Sequence, residues 1–177
     1  KQNAPVRWTG AFCNEVAMFS ITLLCMGKLK EKFYTAAAEE YSKRLRAFAD
    51  FRIVELPEYR LPDDPNETQI AQGLAREAEA IRKAIPKGAW LCVLTPEGRL
   101  LSSEELASAL HSVKTGGRSA ACFLIGSSFG IDPSIKAMAD LKLSMSRMTF
   151  PHHLARVMAL EQLYRAESIQ AGTKYHK

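Results

Sequence analysis

The chain has 177 residues, 47% hydrophobic and 24% charged, with a net charge of +5. That balance excludes an intrinsically disordered chain, which cannot bury enough apolar surface to offset its ordering entropy, and suits one globular domain. Apolar runs such as Ile21 to Met26 are far too short to cross a bilayer, so no transmembrane helix is expected. The first 17 residues lack the apolar core and small-residue cleavage site of a secretory signal, so no signal peptide is expected. Cys13, Cys25, Cys92 and Cys122 form no CxxC pair. They read as small core residues of a reducing compartment, and the expected location is cytosolic.

Residues 1–17 show no clear periodicity and precede Met18, which reads as the initiator of the folded part. They are taken as an extension, and 18–177 as a single domain. Phe19 to Met26, closed by Gly27, has the continuous apolar character of a buried strand. Tyr34 to Phe48 places apolar residues at three- and four-residue steps, a helical stripe. Phe51 to Leu56 reads as a strand and Pro57 to Pro65 as a loop. Asn66 with Gln69 forms a capping box for a helix to about Ala84. Trp90 to Leu94 is a strand ended by Thr95-Pro96-Glu97-Gly98. Ser102 with Glu105 caps a helix to about Val113. Ala120 to Ile125 is a strand, followed by the loop Gly126 to Gly130. Asp132-Pro133 starts a short helix, because proline at the first helical position sacrifices no hydrogen bond. Leu141 to Ser144 is a short strand, and Pro151 opens a last helix to about Ala171.

Five strands alternating with five helices specify an α/β domain with a mainly parallel sheet and helices on both faces. In such sheets ligands lie beyond the carboxyl ends of the strands. The segments after Leu94, Ile125 and Ser144 are therefore the candidate site. Neither GxGxxG nor GxxxxGK[ST] is present, so a classical dinucleotide or nucleoside-triphosphate loop is unsupported.

Charge gathers at the carboxyl end. Lys142, Arg147, Arg156, Arg165, Lys174 and Lys177 stand against Glu161 and Glu167, with His152, His153 and His176 in the same stretch. A second cluster is Lys28, Lys30 and Lys32. Such concentrations either face solvent or meet a polyanion. His152 and Arg156 share one face of the last helix, where free N–H groups favour an anion over a metal; the bland alternative is a capping histidine beside an exposed arginine. Glu161 and Arg165 read as a structural i,i+4 pair. No metal site and no Ser–His–Asp or Cys–His set can be assembled. The tail Lys174, Tyr175, His176 and Lys177 either frays or offers a base-stacking ring with phosphate-binding charges.

Several motifs occur in order: Met26-Gly-Lys-Leu-Lys-Glu-Lys32, Leu101-Ser-Ser-Glu-Glu105, Phe123-Leu-Ile-Gly126, Leu143-Ser-Met-Ser-Arg-Met-Thr-Phe-Pro-His152, Glu161-Gln-Leu-Tyr-Arg-Ala166 and the terminal Tyr-His-Lys. Together they closely resemble the bacterial large-subunit rRNA pseudouridine N3-methyltransferase family of the SPOUT class, over about Met18 to Lys177. The resemblance implies a SPOUT-type fold with a deep C-terminal trefoil knot, and a homodimer. It also implies S-adenosylmethionine as cofactor, held by Leu94, Gly126, Met145, Ser146, Arg147, Met148, Thr149 and Phe150. The implied substrate is a pseudouridine of large-subunit rRNA in the assembled ribosome. Two positions depart from the family pattern. Ser127 stands where a second glycine is usual, and Thr95-Pro96 where an acidic and an apolar residue are usual.

On this reading the expected chemistry is direct methyl transfer to N3. Arg156 would stabilise the developing imidate, and His176 or His152 would take the proton, with His176 favoured because it lies on the tail. Lys174, Tyr175 and Lys177 would contact RNA. The rival expectation is a non-enzymatic ribosome- or RNA-binding protein that lost cofactor use through Ser127 and Pro96.

Overall fold

A computed structural model describes residues 18–176; the 17-residue extension, Cys13 and Lys177 lie outside the described residues. The elements are β1 (Ser20–Met26), α1 (Lys32–Leu45), β2 (Asp50–Leu56), α2 (Glu67–Ala84), β3 (Trp90–Leu100), α3 (Ser103–Thr115), β4 (Ala120–Ile125), α4 (Pro133–Met138), β5 (Leu141–Ser144) and α5 (His152–Gln170). The five strands form one sheet in the order β2-β1-β4-β3-β5. Every pairing is parallel.

Burial explains the strand composition. β1 and β4 lie inside the sheet with helices over both faces, so residues 21–26 and 121–125 are buried without alternation. One face carries Leu23, Cys92 and Phe123 against α1, α3 and α5. The other carries Leu24, Val93 and Leu124 against α2 and α4. Both expected capping boxes form, at Asn66 with Gln69 and at Ser102 with Glu105. Asp132 caps α4, which begins at Pro133.

One boundary differs from expectation. β3 does not end at Leu94 but resumes at Arg99 and runs to Leu100, with Leu143 of β5 paired to both Leu94 and Arg99. Thr95 to Gly98 is thus an excursion within a strand. Pro96 has no N–H to offer a ladder, and this is the stretch that leaves it. Gly98 returns the chain against β5 so closely that a Cβ there would lie 2.5 Å from the Leu143 carbonyl carbon.

Phe123 is 1% exposed and packs edge-on to Trp90. Phe123→Ala is expected to cost roughly 3–5 kcal/mol. Asn66→Ala, which loses only a cap, should cost about 1 kcal/mol. Urea unfolding of the two variants beside the parent checks this order.

Candidate functional site

The carboxyl ends of β3, β4 and β5 open into a cavity of about 650 Å³, within the range of small-molecule sites. Its wall brings together the three segments singled out by strand polarity. Leu94, Thr95 and Pro96 come from β3, Gly126 to Ser128 and Gly130 from the β4–α4 loop, and Ser144 to Ser146 with Met148 to Pro151 from the β5–α5 loop. Of the eight residues implied as cofactor contacts, Leu94, Gly126, Met145, Ser146, Met148, Thr149 and Phe150 line it; Arg147 is exposed and is not part of the wall. A second, apolar cavity of about 70 Å³ shares Leu94, Leu143, Ser144 and Met145 with it and reaches toward Phe123 and Leu163.

The β4–α4 loop is shaped by close contact. A Cβ at Gly126 would lie 2.4 Å from the Gly130 oxygen and from Ile131 Cγ1. Gly130 donates its N–H to the Ser127 carbonyl at 3.0 Å and takes a φ of +99°. Ser127 needs no such freedom, since no non-glycine residue has positive φ among the described residues. Its hydroxyl instead donates to Glu77 Oε2 at 2.8 Å, while the Tyr59 N–H donates to Oε1 at 2.9 Å. Glu77 is buried, which pushes its carboxyl above the usual value; these two hydrogen bonds oppose the shift. Sequence reasoning missed Glu77, because a lone glutamate on an amphipathic helix carries no signal of its own.

The rim holds a second unanticipated group. Lys136 lines the cavity and donates to Glu97 at 2.6 Å, and the Thr95 hydroxyl also bonds Glu97. The Lys136 hydrogen bond, then that from Thr95, hold Glu97 down at about 2. In the β5–α5 loop the Ser144 hydroxyl donates to the Ser146 carbonyl at 2.9 Å, and the Met148 N–H donates to Ser146 Oγ at 3.0 Å.

The residues expected to be catalytic are not gathered in one place. His152 lines the cavity, its Nε2 3.7 Å from Glu58 and its ring 4.1 Å from that of His153. Burial, then the neighbouring His153, lowers its pKa, so the ring is neutral near pH 7. Arg156 does not line the cavity, nor is it the exposed arginine of the bland alternative. It is 1% exposed, donating to Glu55 at 2.5 Å and to the carbonyls of Gly27 at 2.9 Å and Met26 at 3.3 Å.

The tail also lies away from this cavity. His176 Nε2 meets Glu104 at 2.7 Å. Tyr175 donates to Glu161 at 3.1 Å beneath Arg165, which is itself paired with Glu161. Lys174 is exposed, and Lys177 lies outside the described residues. Burial pushes the thiols of Cys25 and Cys122 up to about 12 and that of Cys92 higher, so none is a nucleophile at neutral pH. Among the described residues no three His, Cys, Asp or Glu could hold a metal ion, and no helix is long and apolar enough to cross a membrane.

Glu77 also makes a stability prediction. A carboxyl raised in the folded state contributes stability below its unfolded value and loses it as pH rises through the folded one. Glu77→Gln keeps acceptor and donor atoms for Tyr59 and Ser127 but cannot ionise. Its unfolding free energy, measured from pH 4 to 8, should gain on the parent as pH rises above the usual carboxylate value. A constant difference across that window would contradict this.

A family model described as "Predicted SPOUT methyltransferase" matches residues 19–176. The chain is 44% identical over 160 residues to "Ribosomal RNA large subunit methyltransferase H" of Moorella thermoacetica, covering 90% of this chain and 100% of that one. The protein of the same name from Acetivibrio thermocellus is 43% identical over 157 residues, 89% of this chain and 99% of that one. The Bifidobacterium adolescentis protein of that name is 44% identical, with the same coverage.

Proposed function

The chain belongs to the SPOUT methyltransferase family, and on that premise we propose that it methylates N3 of a pseudouridine in large-subunit ribosomal RNA, using S-adenosylmethionine and acting on the assembled ribosome as a homodimer. The names of its relatives support ribosomal RNA as the substrate class. The observation that carries the reading is the cavity at the carboxyl ends of β3, β4 and β5, walled by seven of the eight residues assigned to the cofactor. The proposal includes a knotted C-terminal part, with the β5–α5 segment as its cofactor-facing element.

The cavity suits this cofactor. Leu94, Ile125, Ile131, Leu143, Met145 and Phe150 offer apolar wall to an adenine ring and the methylenes of a methionine chain. Gly126 presents backbone, and the hydroxyls of Ser128, Ser146 and Thr149 can bond ribose or amino-acid groups. When bound, S-adenosylmethionine supplies an electrophilic methyl on a sulfonium. The protein holds the nucleophile near in-line contact and excludes water.

The imide N3–H must lose its proton, and His152, neutral and at the cavity wall, is the acceptor this chain places there. His176 can act only by leaving Glu104, or from the tail of a second copy. Arg156, its charge committed to Glu55, serves as a positioning residue. The rival reading, a binding protein without catalysis, depended on Ser127 and Pro96. Ser127 has an ordinary φ, and Pro96 lies in an excursion outside the ladder.

The test is labelled methyl transfer to ribosomes lacking the modification, with naked rRNA alongside. Label at N3 of a pseudouridine, on the particle, is the expected result. Binding to ribosomes with neither transfer nor cofactor binding would favour the rival. His152→Ala should lower turnover by roughly a hundredfold to ten-thousandfold with cofactor affinity unchanged. Near-normal turnover in that variant, with loss in His176→Ala, would move the proton-accepting role to the tail.

A further inference from the structure

The loop between β1 and α1 carries Lys28 and Lys30, α1 opens with Lys32 and Phe33, and the cavity chemistry makes no use of this stretch. All three lysines are exposed, and Phe33 is 65% exposed, an unusual setting for a large apolar ring. The carboxylates of this neighbourhood face groups other than these lysines. Glu55 is held by Arg156, Glu58 lies 3.7 Å from His152, and Glu31 lies 3.4 Å from His153. No ion pair within 4.0 Å involves Lys28, Lys30 or Lys32 among the described residues. The first turn of α1 contains no acidic residue, and the Glu31 side chain makes no cap bond, so the free amides there add to the positive field.

Two observations tie this loop to the mouth of the cavity. The first is a run of aromatic rings. Phe33 lies 4.3 Å from Tyr34, Tyr34 6.2 Å from His153, and His153 4.1 Å from His152, which is itself cavity wall. The second is the anchoring of the loop. Arg156 holds the Gly27 carbonyl at 2.9 Å, and its partner Glu55 accepts the Leu29 N–H at 3.3 Å. Both ends of the Gly27–Leu29 turn are thus fixed by one ion pair, the buried Arg156 with the partly exposed Glu55, while the lysine heads stay in water.

We infer that the β1–α1 loop is an RNA-docking edge, with Lys28, Lys30 and Lys32 on backbone phosphates and Phe33 stacked on an unpaired base beside the target nucleotide. The inference rests on the methyltransferase reading for the identity of the RNA. Lysines supply phosphate neutralisation without sequence preference, and an exposed ring beside them is the usual partner for a splayed base. Prior anchoring of the loop lowers the ordering cost of binding.

The experiment compares the parent, a Lys28→Ala, Lys30→Ala, Lys32→Ala triple variant, Phe33→Ala, and a Lys83→Ala, Lys87→Ala control. Both control lysines are exposed, and Lys87 lies before the amino end of β3, whereas the β1–α1 loop follows the carboxyl end of β1 in the same parallel sheet. Binding to ribosomes lacking the modification is measured across a salt series, with S-adenosylmethionine affinity measured separately. The triple variant should bind ribosomes about tenfold or more weakly, with a salt slope shallower by roughly 2 to 3. Phe33→Ala should weaken binding several-fold without changing the slope. Cofactor affinity should hold in both variants, so KM for the ribosome rises while kcat is kept. A photo-crosslinking p-benzoylphenylalanine in place of Phe33 should label rRNA.

Unchanged affinity and slope in the triple variant, or an equal loss in the control, would overturn the inference. Crosslinking to a ribosomal protein alone would also overturn it. If the parent itself transfers no methyl group, the enzymatic reading fails, while the salt series still decides the role of the loop.

Discussion

The ion pair between Arg156 and Glu55 joins parts of the chain that sequence separation keeps far apart. The arginine belongs to the first half of α5, the glutamate to the end of β2, and the carbonyls of Met26 and Gly27 to the end of β1. A guanidinium 1% exposed is costly unless its partners are in place, and here they are the partly exposed Glu55 carboxylate and two backbone carbonyls. With the partners present, it anchors the first turns of α5 to the ends of β1 and β2. That in turn places His152 against the cavity and His153 against Glu31. The same contact holds the turn that carries Lys28.

The cavity follows from a second constraint, the common direction of the strands. Because β3, β4 and β5 are parallel and adjacent in space, their carboxyl ends open on one side, and three unrelated segments become one wall. Each departure from regular structure there has a steric cause. Gly98 lets β3 return against the backbone of β5, and Gly126 lets its loop close over Ile131. Ser127, a polar residue in a loop of small ones, is taken up by the buried Glu77. That bond links the cavity loop to α2 and, through the Tyr59 N–H, to the proline-rich segment after β2.

The distribution of charge changes meaning once contacts are known. Of the basic residues toward the carboxyl end, Arg156 and Arg165 are neutralised inside the molecule by Glu55 and Glu161. Tyr175 shares that second carboxylate, and His176 is taken by Glu104. Arg147 stays exposed in the β5–α5 loop, and the stretch from Lys28 to Lys32, some 110 residues earlier in the chain than Lys142, adds further exposed basic character near the cavity mouth.

The order and type of the elements were legible in the chain because each has a local cause: continuous apolar runs for strands buried on both faces, capping boxes at Asn66 and Ser102, and proline at the start of α4. The cavity segments were legible too, since alternating strands and helices specify a parallel sheet, and a parallel sheet specifies which strand ends face a ligand. The resumption of β3 after Gly98 was not, because a strand that pairs on both sides of an excursion is defined by its neighbour Leu143. Nor were the partners of Arg156, His176 and Glu77 accessible. Spacing along a helix reports which side chains share a face, whereas a polar side chain is partnered by whatever the packing brings to it, here 101 residues away for Arg156, 72 for His176 and 50 for Glu77.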